Sequence, residues 1–145
     1  IEAGALLATD DEDVIARYRR FGWALGLAFQ LNDDLLGIWG QEQQTGKVPT
    51  DVARHKKTLP VMYAFQHAGP EDRDRLAELY ALSEPGDGQI AEVMAILERS
   101  GAQDFTRAEA QRYRDECLAE LDALTVVEPG AREKLKGIIV GVISA

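Results

Sequence analysis

Residues 14–40 read VIARYRRFGWALGLAFQLNDDLLGIWG, and this stretch decides the fold class. Its large residues recur at spacings of three and four, which is the period of an α-helix with one buried face. The repeat follows the acidic run at residues 10–13, where a helix N-terminus favours negative charge. The pattern predicts one helix of about 29 residues, roughly 43 Å long, that ends near Gly37 and Gly40. The predicted buried stripe consists of Val14, Tyr18, Phe21, Leu25, Phe29, Asn32 and Leu36.

Helical periodicity continues through the rest of the chain, and strand-like alternation is nowhere sustained. A loop over residues 41–49 should lead to a second helix through residues 59–65, with Pro60 in its first turns. Two shorter helices are predicted at residues 71–82 and 89–99, and residues 106–109 are a possible capping box or early first turn of the next. A final helix follows Pro129 and Gly130. The sequence therefore predicts a single all-α unit over residues 1–145. The stripe of the penultimate helix consists of Ala110, Tyr113, Cys117, Leu121 and Leu124.

The composition is that of one globular domain, with 145 residues of which 46% are hydrophobic and 28% are charged. There are 16 Lys and Arg against 25 Asp and Glu, so the net charge of −9 argues against nucleic acid as a partner. The one cysteine, Cys117, excludes an internal disulfide and is expected to be a packing residue in a reducing compartment. Residues 1–13 show no basic segment followed by an apolar run, so a secretion signal is not expected there.

Asp33 and Asp34 stand next to each other on a helix that has no Lys or Arg between residues 21 and 39. At about 100° per residue they share one face with Gln30 and Gly37. Paired carboxylates on a largely buried helix repel each other and lose hydration, so they usually need a metal ion or a cation. They also argue against stable membrane insertion, at about 2.5–3.5 kcal/mol for each aspartate. Carboxylate oxygens suit Mg²⁺, which bridges a few of them to substrate phosphates.

Positive charge is concentrated immediately after this helix, at Lys47, Arg54, Lys56 and Lys57. Aspartates on one helix face, followed by lysines on a loop and at a helix start, suggest a site for a metal-bridged phosphate ester. From spacing alone, a solvated helix end with an exposed basic face explains the same residues equally well.

The stretch from residue 29 to residue 60 resembles the second half of the all-trans polyprenyl diphosphate synthases of the geranylgeranyl and farnesyl type. That family carries FQ-x-x-DD-x-x-D, then Gly-Lys, then Asp, and then Lys-x-Thr-Leu-Pro. This chain has FQLNDDLLG at residues 29–37, then Gly46 and Lys47, then Asp51, and KKTLP at residues 56–60. The first eight residues resemble the tail of the preceding family helix. The resemblance implies the C-terminal half of a polyprenyl synthetase domain, with an isoprenoid-synthase-type antiparallel helical bundle.

The resemblance also implies a Mg²⁺-dependent prenyltransferase that condenses an allylic diphosphate with isopentenyl diphosphate, in a cytoplasmic homodimer. Asp33, directly, and Asp34, directly or through water, would hold the metal ion. Gln30 would line the substrate pocket at the diphosphate, and Lys47 and Lys56 would contact the diphosphate and stabilise its departure. Under this interpretation Asp33, Asp34 and Lys47 are the catalytic residues.

Two departures from the family pattern affect this interpretation. Gly37 stands where the family has a third aspartate, which weakens the predicted metal ligation. The family's first aspartate-rich motif and its isopentenyl diphosphate site are absent from residues 1–145, so this chain alone is expected to be inactive. Two alternatives stay open: a class I terpene cyclase, and a catalytically silent partner subunit of a heteromeric synthase. The Gly-Lys and Lys-x-Thr-Leu-Pro elements favour the synthase.

Overall fold

A computed structural model describes residues 1–40, 49–124 and 129–143. Every regular element in these ranges is a helix and none is a strand, which confirms the all-α prediction. The elements in chain order are α1 (Glu2–Ala8), α2 (Glu12–Leu35) with a π-helical continuation (Leu36–Gly40), α3 (Thr50–Ala53), α4 (Leu59–His67), α5 (Pro70–Tyr80), α6 (Asp87–Arg99), α7 (Ala102–Ala123) and α8 (Pro129–Val142). None of the described helices has the length and apolar character needed to cross a membrane.

The long first helix lies where the sequence predicts it, since α2 and its π-helical continuation together occupy residues 12–40. The predicted burial of its stripe is wrong at two residues. Phe29 is 54% exposed and Leu36 is 51% exposed, although Phe21 and Asn32 are buried. Periodicity identifies the apolar face of a helix, but it carries no information on whether another element covers that face.

Several helix boundaries follow from local sequence. Pro60 lies in the first turn of α4 and Pro70 is the first residue of α5, where the missing N–H of proline breaks no hydrogen bond. Gly101, between α6 and α7, has a left-handed φ of 75° that suits glycine. The predicted cap at Thr106 is wrong, because α7 already begins at Ala102. The Thr106 hydroxyl instead donates to the Ala102 carbonyl at 2.8 Å, one turn back in the same helix.

The chain divides into two compact units, one of Ile1–Asn32 with Glu109–Ala145 and the other of Asp33–Ala108. The first unit has a core built on Phe21 of α2, Cys117 of α7 and Ile139 of α8. Burial raises the pKa of the Cys117 thiol to about 11, so this side chain is a neutral packing residue, as expected from the sequence.

The second unit has a separate core, formed by the π-helical segment and α3 to α6. Apolar side chains on successive helices meet there, and the most deeply buried of them are less than 2% exposed. This core supports the end of α2 and the start of α4, where the candidate site residues lie. Its most deeply buried large side chains are Ile38, Val52, Val61, Leu76, Leu79, Ile96 and Leu97.

We expect Leu97→Ala to lower the free energy of unfolding by about 3 kcal/mol, because a fully buried leucine leaves a cavity when it is truncated. Leu82→Ala is the matched control: this leucine is 40% exposed, so the loss should stay below about 1 kcal/mol. Urea denaturation followed by circular dichroism measures both. Equal losses for the two variants would contradict the assignment of the core.

Candidate active site

The two adjacent aspartates near the end of α2 have different surroundings. Asp33 is exposed, whereas Asp34 is 6% exposed and its Oδ2 accepts a hydrogen bond from the backbone N–H of Leu59 at 3.2 Å. Leu59 is the first residue of α4, and its N-cap, Thr58, makes no side-chain capping hydrogen bond. Asp34 therefore satisfies an open N–H of α4 and places negative charge at the positive end of that helix.

Lys56, which the sequence predicts to bind diphosphate, lies close to these aspartates. Its Nζ forms an ion pair with Asp51 Oδ1 at 2.6 Å. The hydrogen bond to Asp51 raises the pKa of the Lys56 ammonium, desolvation opposes this effect, and the charges of Asp33 and Asp34 raise the pKa further. The structure thus brings Asp33, Asp34 and Lys56 into one electrostatic neighbourhood.

Asp51 is the residue of this neighbourhood to which the sequence assigned no role. It is 4% exposed and lies on α3, a short helix that the sequence did not predict. One of its carboxylate oxygens pairs with Lys56, and the other, Oδ2, is buried without a hydrogen-bond partner among the described residues. The signal that could have identified it is its place in the pattern, as the aspartate between the two lysine elements.

The chain turns sharply after α3 and returns Lys56 to Asp51. The N–H of Lys56 donates to the carbonyl of Asp51 at 3.0 Å and the N–H of His55 donates to the carbonyl of Val52 at 2.9 Å, which are the paired bonds of a Schellman motif. His55 occupies the position where glycine is usual and has a left-handed φ of 50°. A side chain in this conformation costs about 1–2 kcal/mol, so backbone strain lies directly before Lys56.

Gly37 lies in the π-helical segment, against Asp51. A Cβ atom at residue 37 would lie 2.6 Å from Cγ of Asp51 and nearer still to Oδ2. Because non-bonded atoms do not approach so closely, any side chain at residue 37 would displace the Asp51 carboxylate. The structure therefore gives a steric reason for glycine where the family pattern has its third aspartate.

The other two predicted site residues are Gln30 and Lys47. Gln30 is an exposed residue of α2, in the part of that helix that belongs to the first unit. Lys47 lies outside the described residues, so its catalytic and diphosphate-binding roles stay predictions.

No group of three His, Cys, Asp or Glu side chains is placed to hold a metal ion in the ranges that the structure describes. Mg²⁺ does not need such a group, because proteins usually bind it through one or two carboxylates together with water and substrate phosphates. The exposed carboxylate of Asp33 and the neighbouring carboxylate of Asp34 fit this mode of binding. They would hold Mg²⁺ only as part of a larger ligand set.

The first unit contains a large apolar cleft of about 970 Å³. Leu25 and Phe29 of α2 line it from one side and Ile138 of α8 lines it from another. Thr9 and Tyr18 are the lining residues with polar side chains, and the others are apolar. A cleft of this size and composition suits a hydrocarbon group.

Residues 1–97 match the family model of the polyprenyl synthetases. The (2E,6E)-farnesyl diphosphate synthase of Mycobacterium tuberculosis is 42% identical over an alignment of 118 residues that covers 77% of this chain and 32% of that protein. The chain therefore belongs to the polyprenyl synthetase family. It spans about a third of the length of this curated relative.

Solved structures share the all-α fold. The polyprenyl synthetase of Streptomyces coelicolor A3(2) has a TM-score of 0.82 and 32% identity, over 96% of this chain and 43% of that one. The geranylgeranyl pyrophosphate synthase of Corynebacterium glutamicum, solved in complex with isoprenyl diphosphate and magnesium, has a TM-score of 0.77 and 26% identity. This match covers 90% of this chain and 37% of that one.

We expect Asp34→Ala to lower the free energy of unfolding by about 1 kcal/mol, because α4 loses the carboxylate on its first N–H. Asp33→Ala removes an exposed carboxylate of the same type from the adjacent position, so it should cost less than about 0.5 kcal/mol. Urea denaturation measures both values. The same loss for both variants would show that Asp34 does not act as a cap.

His55→Gly should raise the free energy of unfolding by up to about 1 kcal/mol, since relief of the left-handed strain exceeds the added freedom of glycine in the unfolded chain. Arg54→Gly is the control at the preceding residue, whose φ of −94° carries no such strain. Thermal and urea denaturation should show stabilisation in the first variant and destabilisation in the second. Destabilisation by His55→Gly would contradict the assignment of backbone strain to His55.

Proposed function

We propose that this chain carries the part of a trans-prenyltransferase that binds the diphosphate of an allylic substrate through Mg²⁺, for condensation with isopentenyl diphosphate. The observation that carries the proposal is the gathering of Asp33, Asp34 and Lys56 in a chain of the polyprenyl synthetase family. The complex of the Corynebacterium relative with isoprenyl diphosphate and magnesium supports this choice of ligand and metal ion.

The surroundings of the two aspartates suggest different tasks. Asp33 is exposed and would bind the metal ion directly. Asp34, whose Oδ2 accepts the N–H of Leu59, would act directly or through water. Mg²⁺, when bound, would supply positive charge to the diphosphate oxygens.

Lysines would act on the other side of the diphosphate. Lys56 would donate hydrogen bonds to diphosphate oxygens and stabilise the negative charge that builds on them as the carbon–oxygen bond breaks. Lys47 would do the same, and Gln30 would contact the substrate at its diphosphate end. The apolar cleft of the first unit supports a substrate with a hydrocarbon chain, and an apolar wall protects an allylic cation from water.

The proposal extends to the organisation of the domain. Residues 1–145 would form the C-terminal half of a polyprenyl synthetase domain, and condensation would need the remainder of such a domain. This is consistent with a chain that spans about a third of its Mycobacterium relative. The homodimer and the cytoplasmic location stay predictions.

Calorimetric titration with a non-ionisable allylic diphosphate analogue tests the proposal. We expect binding that requires Mg²⁺, and a loss of more than about tenfold in affinity for Asp33→Asn, because that change removes a metal ligand and leaves the helix intact. Asp74→Asn is the matched control, since it removes the same charge from an exposed position of α5. Equal affinity of the wild type and Asp33→Asn, with equal helix content, would exclude this metal site.

Turnover of the full-length protein distinguishes a synthase from a cyclase. We expect an allylic diphosphate to be consumed rapidly only after isopentenyl diphosphate is added, because condensation needs both substrates. Rapid consumption of the allylic diphosphate alone would favour the cyclase. Liquid chromatography of the reaction products measures either outcome.

A further inference from the structure

We propose that Asp51 is a positioning residue, whose carboxylate takes the space that Gly37 leaves and holds the Lys56 ammonium beside Asp33 and Asp34. At this point the family pattern has a third aspartate on the helix itself. In this chain α2 and its continuation contribute no side chain there, and the aspartate of α3, which the family pattern also contains, fills that space. The part of Lys56 in binding diphosphate rests on the proposed function, whereas the arrangement of Gly37, Asp51 and Lys56 does not.

The three heavy atoms nearest to a Cβ added at residue 37 all belong to Asp51, and this contact explains the glycine there. Glycine is required where φ is positive, and in the described ranges Gly101 is the glycine with a positive φ. The backbone at Gly37 would therefore accept a side chain. The carboxylate of Asp51 excludes a side chain at residue 37, because its Cγ would lie 2.6 Å from the added Cβ.

The carboxylate of Asp51 is almost fully buried. The side chain of Asp51 is 5% exposed, whereas that of Lys56 is 48% exposed. Burying a carboxylate is unfavourable unless a cation or hydrogen-bond donors compensate it, and Lys56 provides that cation at 2.6 Å. The charge of Asp51 also acts on the buried hydroxyl of Tyr80. The pKa of Tyr80 is raised chiefly by burial and in addition by Asp51. The carboxylate thus belongs to a packed site.

Asp51 contacts Lys56 at both its backbone and its side chain. The backbone carbonyl of Asp51 accepts the N–H of Lys56, and its carboxylate accepts from the ammonium of the same residue. The strained conformation of His55 closes the turn between them. A lysine side chain that is already ordered loses less conformational entropy when it binds an anion. An ammonium has three N–H donors, so the pair with Asp51 leaves donors for oxygens of a diphosphate.

Competitive labelling of lysines tests the arrangement directly. The chain is methylated with limiting formaldehyde and a reductant, and mass spectrometry gives the ratio of labelling at Lys56 to labelling at its exposed neighbour Lys57. In the wild type the ratio should be low, because the carboxylate stabilises the protonated, unreactive form of Lys56. Asp51→Asn should raise the ratio severalfold.

Gly37→Ala should raise the same ratio severalfold, although it changes neither charged residue, because the new methyl group displaces Asp51. The double variant should not exceed Asp51→Asn alone, since both changes break the same contact. Gly88→Ala is the matched control, a helical glycine of the same unit whose added Cβ would meet nothing within 4 Å. An unchanged ratio in Asp51→Asn, or in Gly37→Ala, would overturn the proposal. General unfolding would also raise the ratio, towards one, so each variant must first show the helix content of the wild type by circular dichroism.

Calorimetry with inorganic pyrophosphate and Mg²⁺ tests the consequence for binding. Gly37→Ala keeps the net charge, so a weaker affinity reports the position of Lys56, and we expect a loss of about tenfold. Equal affinity of Gly37→Ala and the wild type would overturn the positioning role. A wild type that binds no pyrophosphate with Mg²⁺ would refute the proposed function, and the labelling ratios would still decide whether Asp51 holds Lys56.

Discussion

The candidate site depends on one partly buried hydrogen bond, from the first N–H of α4 to the carboxylate of Asp34 on α2. This bond joins the end of the long helix to the start of the next one, so the segment from α3 to Leu59 has to return to the aspartates. Helix N-termini attract anions because their N–H groups lack partners, and here a side chain of the protein meets that need. Two neighbouring residues of the same type thereby acquire different tasks, with Asp34 bound to the fold and Asp33 open to solvent.

Negative side chains outnumber positive ones among the described residues around this hydrogen bond. In their charged forms Asp33, Asp34 and Asp51 contribute three negative charges and Lys56 contributes one positive charge, so these four side chains carry a formal −2. A divalent cation would balance that charge, and under the proposed function a diphosphate bound with the cation would complete the ligand set. The described carboxylates are too few to bind a metal ion as a closed cage. The geometry accordingly suits a metal ion that binds together with its substrate.

Much of this architecture could be predicted from the sequence, because it depends on local signals. The period of the apolar residues places α2, and Pro60 and the Pro129-Gly130 pair mark the starts of two later helices. The motif also identifies Asp33 and Lys56, which the structure brings into one neighbourhood. These features need only residues that are close together in the chain.

The features that the sequence did not predict depend on residues far apart in the chain. The exposure of Phe29 depends on which elements cover α2, and periodicity does not contain that information. The capping role of Asp34 needs Leu59, 25 residues away. Asp51 has a role only because the turn at His55 and the missing side chain at Gly37 meet around it.

A side chain at residue 37 would occupy the space that the Asp51 carboxylate fills. The effects of substitutions at the two positions are therefore epistatic. A relative that keeps the third aspartate has to direct the equivalent of Asp51 elsewhere, and aligned aspartates in two such proteins then have different surroundings. Consensus design would replace Gly37 by aspartate and regard the change as a repair of the motif. In this chain that replacement would put two carboxylates where the packing leaves room for one.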